Sequence, residues 1–214
     1  MCYHSKQTKK AAELESRFNA KIDNSDIFTT SEHYTGHAYP YTPVISNDNR
    51  KLIQQFKWGL IPENSRDVSI REYTLNARIE TLQEKPSFKN SIGNRCLIIV
   101  DGFYEWKWLT ESGNKKEKYL ITLPDDGLFA FAGLYSGWTD KSTGEIIKTY
   151  TIVTTEAVGI MEEIHNSKKR MPVILDTKNE NDWLAGREIE DFKICNIALK
   201  GTTLNPPKHE LTLF

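Results

Sequence analysis

The chain has 214 residues, 38% of them hydrophobic, and carries 28 Lys+Arg against 29 Asp+Glu. That is enough length for one sizeable core, and the balanced charge gives no global pull toward DNA or a membrane, so any nucleic-acid site must be a local basic patch. The start, MCYHSKQTKK, lacks the apolar stretch of a secretory leader, no apolar run reaches a membrane span, and Cys2, Cys96 and Cys195 show no short spacing, which argues against a disulfide framework or a cysteine zinc site and for a reducing cytoplasm.

Residues 6–20 (KQTKKAAELESRFNA) predict an amphipathic helix with Ala11, Leu14 and Phe18 on one face. Residues 26–50 mix Tyr, Pro, Asn and Asp and read as loop with short strand pieces. LIQQFKWGLIP (52–62) is a strand, and 78–91 a helix with a break near Pro86. From 96 to 154 the strands CLIIV, FYEWKWL, KYLITL, LFAFAGLY and IIKTYTIVT alternate with the turns DG, ESGN, PDDG and DKSTGE. EAVGIMEEIH (156–165) predicts a short helix, RMPVIL (170–175) an extended segment, and NENDWLAG (179–186) another helix. CNIALKG (195–201) closes the core, and the Pro-containing tail 201–214 is irregular. With no repeat, low-complexity tract or linker, residues 1–214 read as a single α+β domain around twisted antiparallel sheet.

Four places could carry chemistry. Removal of Met1 would make Cys2 a 1,2-aminothiol, whose amine can form an imine with an aldehyde and whose thiol can then close a thiazolidine ring. By position alone a harmless cysteine in a loose terminus is the simpler reading, and Cys96 and Cys195 sit in apolar runs as core residues. Asn76-Ala77-Arg78-Ile79-Glu80 offers neutral donors, an acceptor and a phosphate fork, but a helix cap with a solvated face explains it as well. In Asp101-Gly102-Phe103-Tyr104-Glu105-Trp106, an inward Glu105 would be desolvated and suited to acid–base work, while strand alternation leaves an exposed carboxylate equally open. His165 is followed by Asn-Ser-Lys-Lys-Arg170, a candidate phosphate patch or a solvated basic turn.

Together these segments resemble the SOS response-associated peptidase (SRAP) family of abasic-site processing proteins, from Cys2 to about residue 200. The markers occur in family order: Met-Cys, Trp58-Gly59-Leu60-Ile61-Pro62, Asn76-Ala77-Arg78-x-Glu80-Thr81, Arg95-Cys96-Leu97, Asp101 to Trp106, Phe131-Ala132-Gly133-Leu134, Thr154-Thr155-Glu156-Ala157, His165, and Arg170 to Leu175. The resemblance implies a barrel-like, strongly twisted antiparallel sheet flanked by short helices. It implies a thiazolidine between the mature Cys2 and the ring-opened aldehyde of an abasic site in single-stranded DNA, including single-strand–double-strand junctions. Asn76, Glu105 and His165 match the other catalytic positions, Arg78 and Arg170 the phosphate-holding arginines, and Trp106 an aromatic near the DNA. Two departures stand out. The family often begins Met-Cys-Gly-Arg where this chain has Tyr3 and His4, so His4 takes the place of a phosphate-contacting arginine. The link from the catalytic His to Arg-Met-Pro is longer, with Asn166 to Lys169 between, and its Lys168 and Lys169 can add phosphate charge.

In the implied mechanism Glu105 moves a proton as the sugar opens, Asn76 orients the amine, and His165 stabilises the sugar oxygen. No metal or cofactor is expected: His4, His33, His37, His165 and His209 show no ligand spacing, and the Tyr, Gly and Pro around His33 and His37 argue against a shared helix face. The expected protein is a cytoplasmic, nucleoid-associated monomer with no membrane contact. Two rivals remain: an N-terminal-nucleophile cysteine hydrolase of the amidotransferase or self-processing peptidase kind, and a non-catalytic single-strand-binding module using Trp58, Trp106 and Trp108.

Overall fold

β-Branched and aromatic residues dominate the middle of the chain, and Asn, Asp and Gly punctuate it, a composition that fits pleated half-buried surfaces joined by tight turns. In the computed structural model, which describes residues 2–194 and 196–205, this becomes an α+β architecture of fourteen strands and four short α-helices among the described residues. The elements run β1 (His4–Gln7), α1 (Ala11–Phe18), β2 (Lys21–Ile22), β3 (Ser31–Thr35), β4 (Tyr41–Ser46), β5 (Asn49–Trp58) and β6 (Asn76–Arg78). They continue with α2 (Pro86–Lys89), β7 (Arg95–Val100), β8 (Gly102–Trp108), β9 (Lys116–Thr122), β10 (Phe129–Thr139) and β11 (Ile146–Glu156). Then follow α3 (Ile160–Ile164), β12 (Arg170–Pro172), β13 (Ile174–Leu175), α4 (Thr177–Leu184) and β14 (Lys200–Thr203).

Strands β4, β5, β11, β10 and β7 form a closed ring. Four of its junctions are antiparallel, and the fifth is a parallel pair, Thr149 opposite Lys57 and Tyr150 opposite Trp58. Closure leaves the ring without an unpaired edge. A second sheet, ordered β14-β9-β8-β1-β3, lies beside it. The period-2 alternation of the ring strands sends side chains to two separate interiors. Leu97, Ile99, Ala130, Ala132, Leu134 and Val153 join Leu14 of α1 and Trp183 of α4 in one core. Cys96, Ile98, Val100, Phe129, Phe131 and Ile152 face the other, shared with Phe103 of β8, Ile121 of β9 and Cys2. Gly133 is required where β10 crosses β7, because a Cβ there would lie 2.3 Å from Ile98 Cδ1 and 2.9 Å from Cys96 Sγ.

Several expectations change. The predicted helix at 78–91 gives way to β6, which pairs in parallel with β11, then turns; only Pro86–Lys89 is helical, where proline fits the first helical turn. The N-terminal helix starts at Ala11 because residues 4–7 add a strand between β3 and β8. The segment 156–165 is helical only over Ile160–Ile164, since β11 runs on to Glu156. Of the 195–201 segment, Ile197 and Leu199 are half-buried and pack against the rim of the core that holds Cys2, Asn196 and Ala198 are exposed, and β14 is an exposed edge strand on β9. Cys195, His209 and most of the predicted tail fall outside the described residues. Among the described residues no helix is long and apolar enough to cross a membrane.

Candidate active site

The second interior is not purely apolar. Cys2 lies in it with 0% exposure, just before β1. Burial raises its thiol above the usual range, and the neighbouring charge of Glu105 raises it further, so the sulfur is held as a thiol. Its Sγ points to the His4 carbonyl oxygen at 3.8 Å.

Glu105 is on β8, two residues after Phe103, and alternation turns both inward. It is 4% exposed, and burial raises its carboxyl to about 7. Oε1 is buried with no hydrogen-bond partner, and Oε2 sits 3.8 Å from Nε2 of His165. His165 follows α3, and burial depresses it to about 4. Its Nδ1 lies 2.6 Å from the Arg170 carbonyl oxygen and accepts from the Arg170 backbone N–H at 3.1 Å, so the Arg170 backbone holds this edge of the ring and leaves Nε2 facing Glu105. Burial thus sets a carboxyl raised toward neutral pH against an imidazole held neutral.

Asn76 reaches the same interior from β6. It pairs in register with Ile152, whose side chain lies in the Cys2 cluster, and both of its side-chain amide atoms are buried without partners. Buried polar atoms are nearly always satisfied in native interiors, so Asn76 and Glu105, with three of the seven unpartnered buried side-chain atoms among the described residues, make this interior the candidate site.

The remaining residues separate into two groups. Arg78, Lys168 and Lys169 are exposed. Arg170 is buried: its two terminal nitrogens form a two-pronged ion pair with Glu80 at 2.7 and 2.9 Å, and one also donates to the Thr154 carbonyl at 2.7 Å. For Arg170 to hold a phosphate, Glu80 would have to let go. His4 and Trp106 sit on the outer face of the smaller sheet. Their rings meet edge-on at 4.7 Å, His4 shares a 2.9 Å contact with His33, and the Lys118 ammonium lies 5.5 Å from the Trp106 ring. His33 is on β3, and a 3-10 turn at Gly36–Ala38 carries His37, so no helix unites them. Among the described residues no group of three His, Cys, Asp or Glu is gathered to hold a metal. Trp58 is fully buried against Tyr150, with Nε1 donating to the Leu75 carbonyl, which removes it from any base-stacking surface.

Glu80 and Asn166 are the residues whose roles the sequence did not expose. Glu80 meets a partner 90 residues away and Asn166 one 58 residues away, and no local pattern signals either contact.

The SOS response associated peptidase (SRAP) family model matches residues 1–207. The chain is 42% identical over 142 residues to abasic site processing protein YobE of Bacillus subtilis, a match covering 66% of this chain and 62% of that protein. It is therefore aligned to about three fifths of that relative's length. Abasic site processing protein YoaM of the same organism is 38% identical over 181 residues, covering 80% of this chain and 76% of the relative. A crystal structure of a protein from Bacteroides thetaiotaomicron superimposes with a TM-score of 0.86 at 32% identity, over 96% of this chain and 93% of that one.

Proposed function

The chain belongs to the SOS response associated peptidase family, and from that premise we propose that it processes abasic sites in single-stranded DNA by capturing them covalently on Cys2 once Met1 is removed. One observation carries the reading: Glu105 and Asn76 turn unpartnered polar atoms into the buried space that holds Cys2. The names of the related Bacillus proteins support it.

The chemistry follows from the protonation states. An abasic sugar is mainly a closed hemiacetal. A carboxyl near 7 both gives and takes a proton at neutral pH, so Glu105 can take the C1 hydroxyl proton and return one to the ring oxygen as the aldehyde forms. His165 faces the same carboxyl and steadies the freed sugar oxygen. The thiol is held protonated, so the Cys2 amine attacks first, with Asn76 as its hydrogen-bonding guide. The amine adds to C1, water leaves, and an imine remains. The sulfur then adds to the imine carbon while its proton passes to nitrogen, which closes the thiazolidine. Exposed Arg78, Lys168 and Lys169 supply cations for the flanking phosphates, and Trp106 with His4 an aromatic wall. Selectivity then rests on the aldehyde and not on base identity. We take the partner to be single-stranded DNA, junctions included, and the acting species to be a monomer.

The test mixes untagged protein, its Met1 removal checked by intact mass, with a single-stranded oligonucleotide carrying one abasic site. A slow species should survive a denaturing gel and be absent with intact DNA. Binding that denaturant abolishes would contradict covalent capture, and ammonia release from glutamine would support the hydrolase reading.

A further inference from the structure

The loop that follows His165 is longer than the resemblance leads one to expect, and its Asn166 makes an unusual contact. Its Oδ1 accepts from the Trp108 backbone N–H at 3.0 Å, and its Nδ2 donates to the Trp108 carbonyl at 2.9 Å. The side-chain amide thus imitates a neighbouring strand. It can do so because β1 reaches only the start of β8, with Ser5 opposite Phe103 and Lys6 opposite Gly102, while β9 takes the other edge out to Lys116 opposite Trp108.

The far end of the loop is tied to the segment after β11, where the Lys169 carbonyl accepts from the Ala157 N–H at 2.9 Å, and Asn166 ties the near end to β8. Residues 166–169 are exposed, and among the described residues Asn166 provides the loop's side-chain hydrogen bonds to another element. Lys169 adopts a left-handed backbone at φ 48°, a conformation that a non-glycine residue keeps only when its surroundings enforce it. The turn closes on itself through Lys169 N–H to the His165 carbonyl at 2.8 Å and through the His165 ring on the Arg170 backbone. Asn166 is adjacent to His165, and Trp108 is three residues beyond Glu105 on one strand. The clamp therefore spans the two elements whose side chains face each other at 3.8 Å.

We propose that Asn166 is a positioning residue, which holds the His165 imidazole against Glu105 by fastening the His165–Arg170 loop to the backbone of β8. Its catalytic consequence rests on the function proposed above; its structural content does not.

The test has two readouts. In the parent, NMR of labelled histidine should show the His165 imidazole titrating well below its ordinary 6.5, near 4. In Asn166→Ala the loosened ring gains solvent, and its midpoint should move toward the ordinary 6.5. The initial rate of crosslinking to an abasic oligonucleotide at saturating protein should fall about tenfold, since small misplacements of reacting groups are costly, while the melting temperature stays near the parent value. Asn166→Asp keeps the acceptor and loses the donor, and should fall between parent and alanine on both readouts. An unchanged His165 midpoint in Asn166→Ala overturns the inference, and so does a shifted midpoint with a parental crosslinking rate. If the parent itself forms no crosslink, the function has failed, and the titration still decides whether Asn166 positions His165.

Discussion

One curved sheet faces two interiors, and they treat buried charge in opposite ways. On the α1 and α4 side, Glu180 is buried but meets Arg17 through two hydrogen bonds at 2.7 and 3.1 Å. Buried Arg95 donates to the carbonyls of Ile92, Trp183 and Arg187 and stacks 4.6 Å from the Trp183 ring. On the Cys2 side, Glu105 keeps one oxygen without a partner, and Asn76 has none for either amide atom. The first interior pairs its buried charges, Glu180 tying α4 to α1 and Arg95 tying β7 to the carbonyls at the end of α4. In the second, Trp58 and Tyr150 find partners while Glu105 Oε1 and the Asn76 amide do not, a cost that a ligand bringing the missing partners would offset.

That contrast can be broken from the reactive side with the largest effect. Cys2→Ser should abolish the denaturant-stable product altogether, read on a denaturing gel, because no thiazolidine can close without sulfur. Glu105→Gln keeps the shape but cannot carry the proton, so the rate of product formation should fall by about 10²–10⁴ in a time course, with noncovalent binding preserved.

Burial raises both carboxylates, Glu105 with no cation at hydrogen-bond distance and Glu180 against the opposing pull of Arg17, so the two should differ in what neutralisation leaves behind. Glu105 titrates near 7 when folded against 4.5 as its ordinary value, so the folded chain holds a proton that the unfolded chain releases. Stability linked to that proton is complete below about 4.5 and is lost as pH rises to about 7, a loss on the order of 3 kcal/mol. Melting curves of Glu105→Gln should therefore match the parent near pH 4.5 and exceed it increasingly toward pH 7.5. Glu180→Gln relieves the buried charge but strips Arg17 of its charged partner, so its gain toward pH 7.5 should be smaller than that of Glu105→Gln. A Glu180→Gln gain as large as that of Glu105→Gln would erase the distinction between the two interiors.

The smallest effect separates the two arginines. Arg78→Ala should leave melting unchanged and flatten the log–log salt dependence of single-strand binding by about 0.7. Arg170→Ala should instead lower the melting temperature, because it leaves Glu80 without its partner and opens a hole beside Thr154.

The sheet was legible because its strands alternate. CLIIV, FYEWKWL and LFAFAGLY each lie within β7, β8 and β10 or within a residue of them. Alternation could not say which face of β8 is the inner one, so Glu105 stood evenly between exposed and buried until β1 and β9 were in place. The 78–91 stretch misled because its helical spacing is a local signal, whereas Asn76–Arg78 is claimed by pairing with β11 more than seventy residues on. The family markers located Cys2, Asn76, Glu105 and His165, which the fold brings to one interior or its edge. They did not reveal that Arg170 is held by Glu80, a contact made only after β6 and β12 both dock on β11.

The most direct test of the account is the chemistry of the captured product. Protein lacking Met1 would be reacted with an abasic oligonucleotide, digested with nuclease and protease, and its N-terminal peptide weighed and sequenced by mass spectrometry, with and without borohydride. The account requires the sugar on Cys2 with the loss of one water and a mass unchanged by borohydride, because the closed thiazolidine leaves no imine to reduce. A sugar found on a lysine such as Lys168 or Lys169, or a linkage that survives only after borohydride reduction, would contradict it.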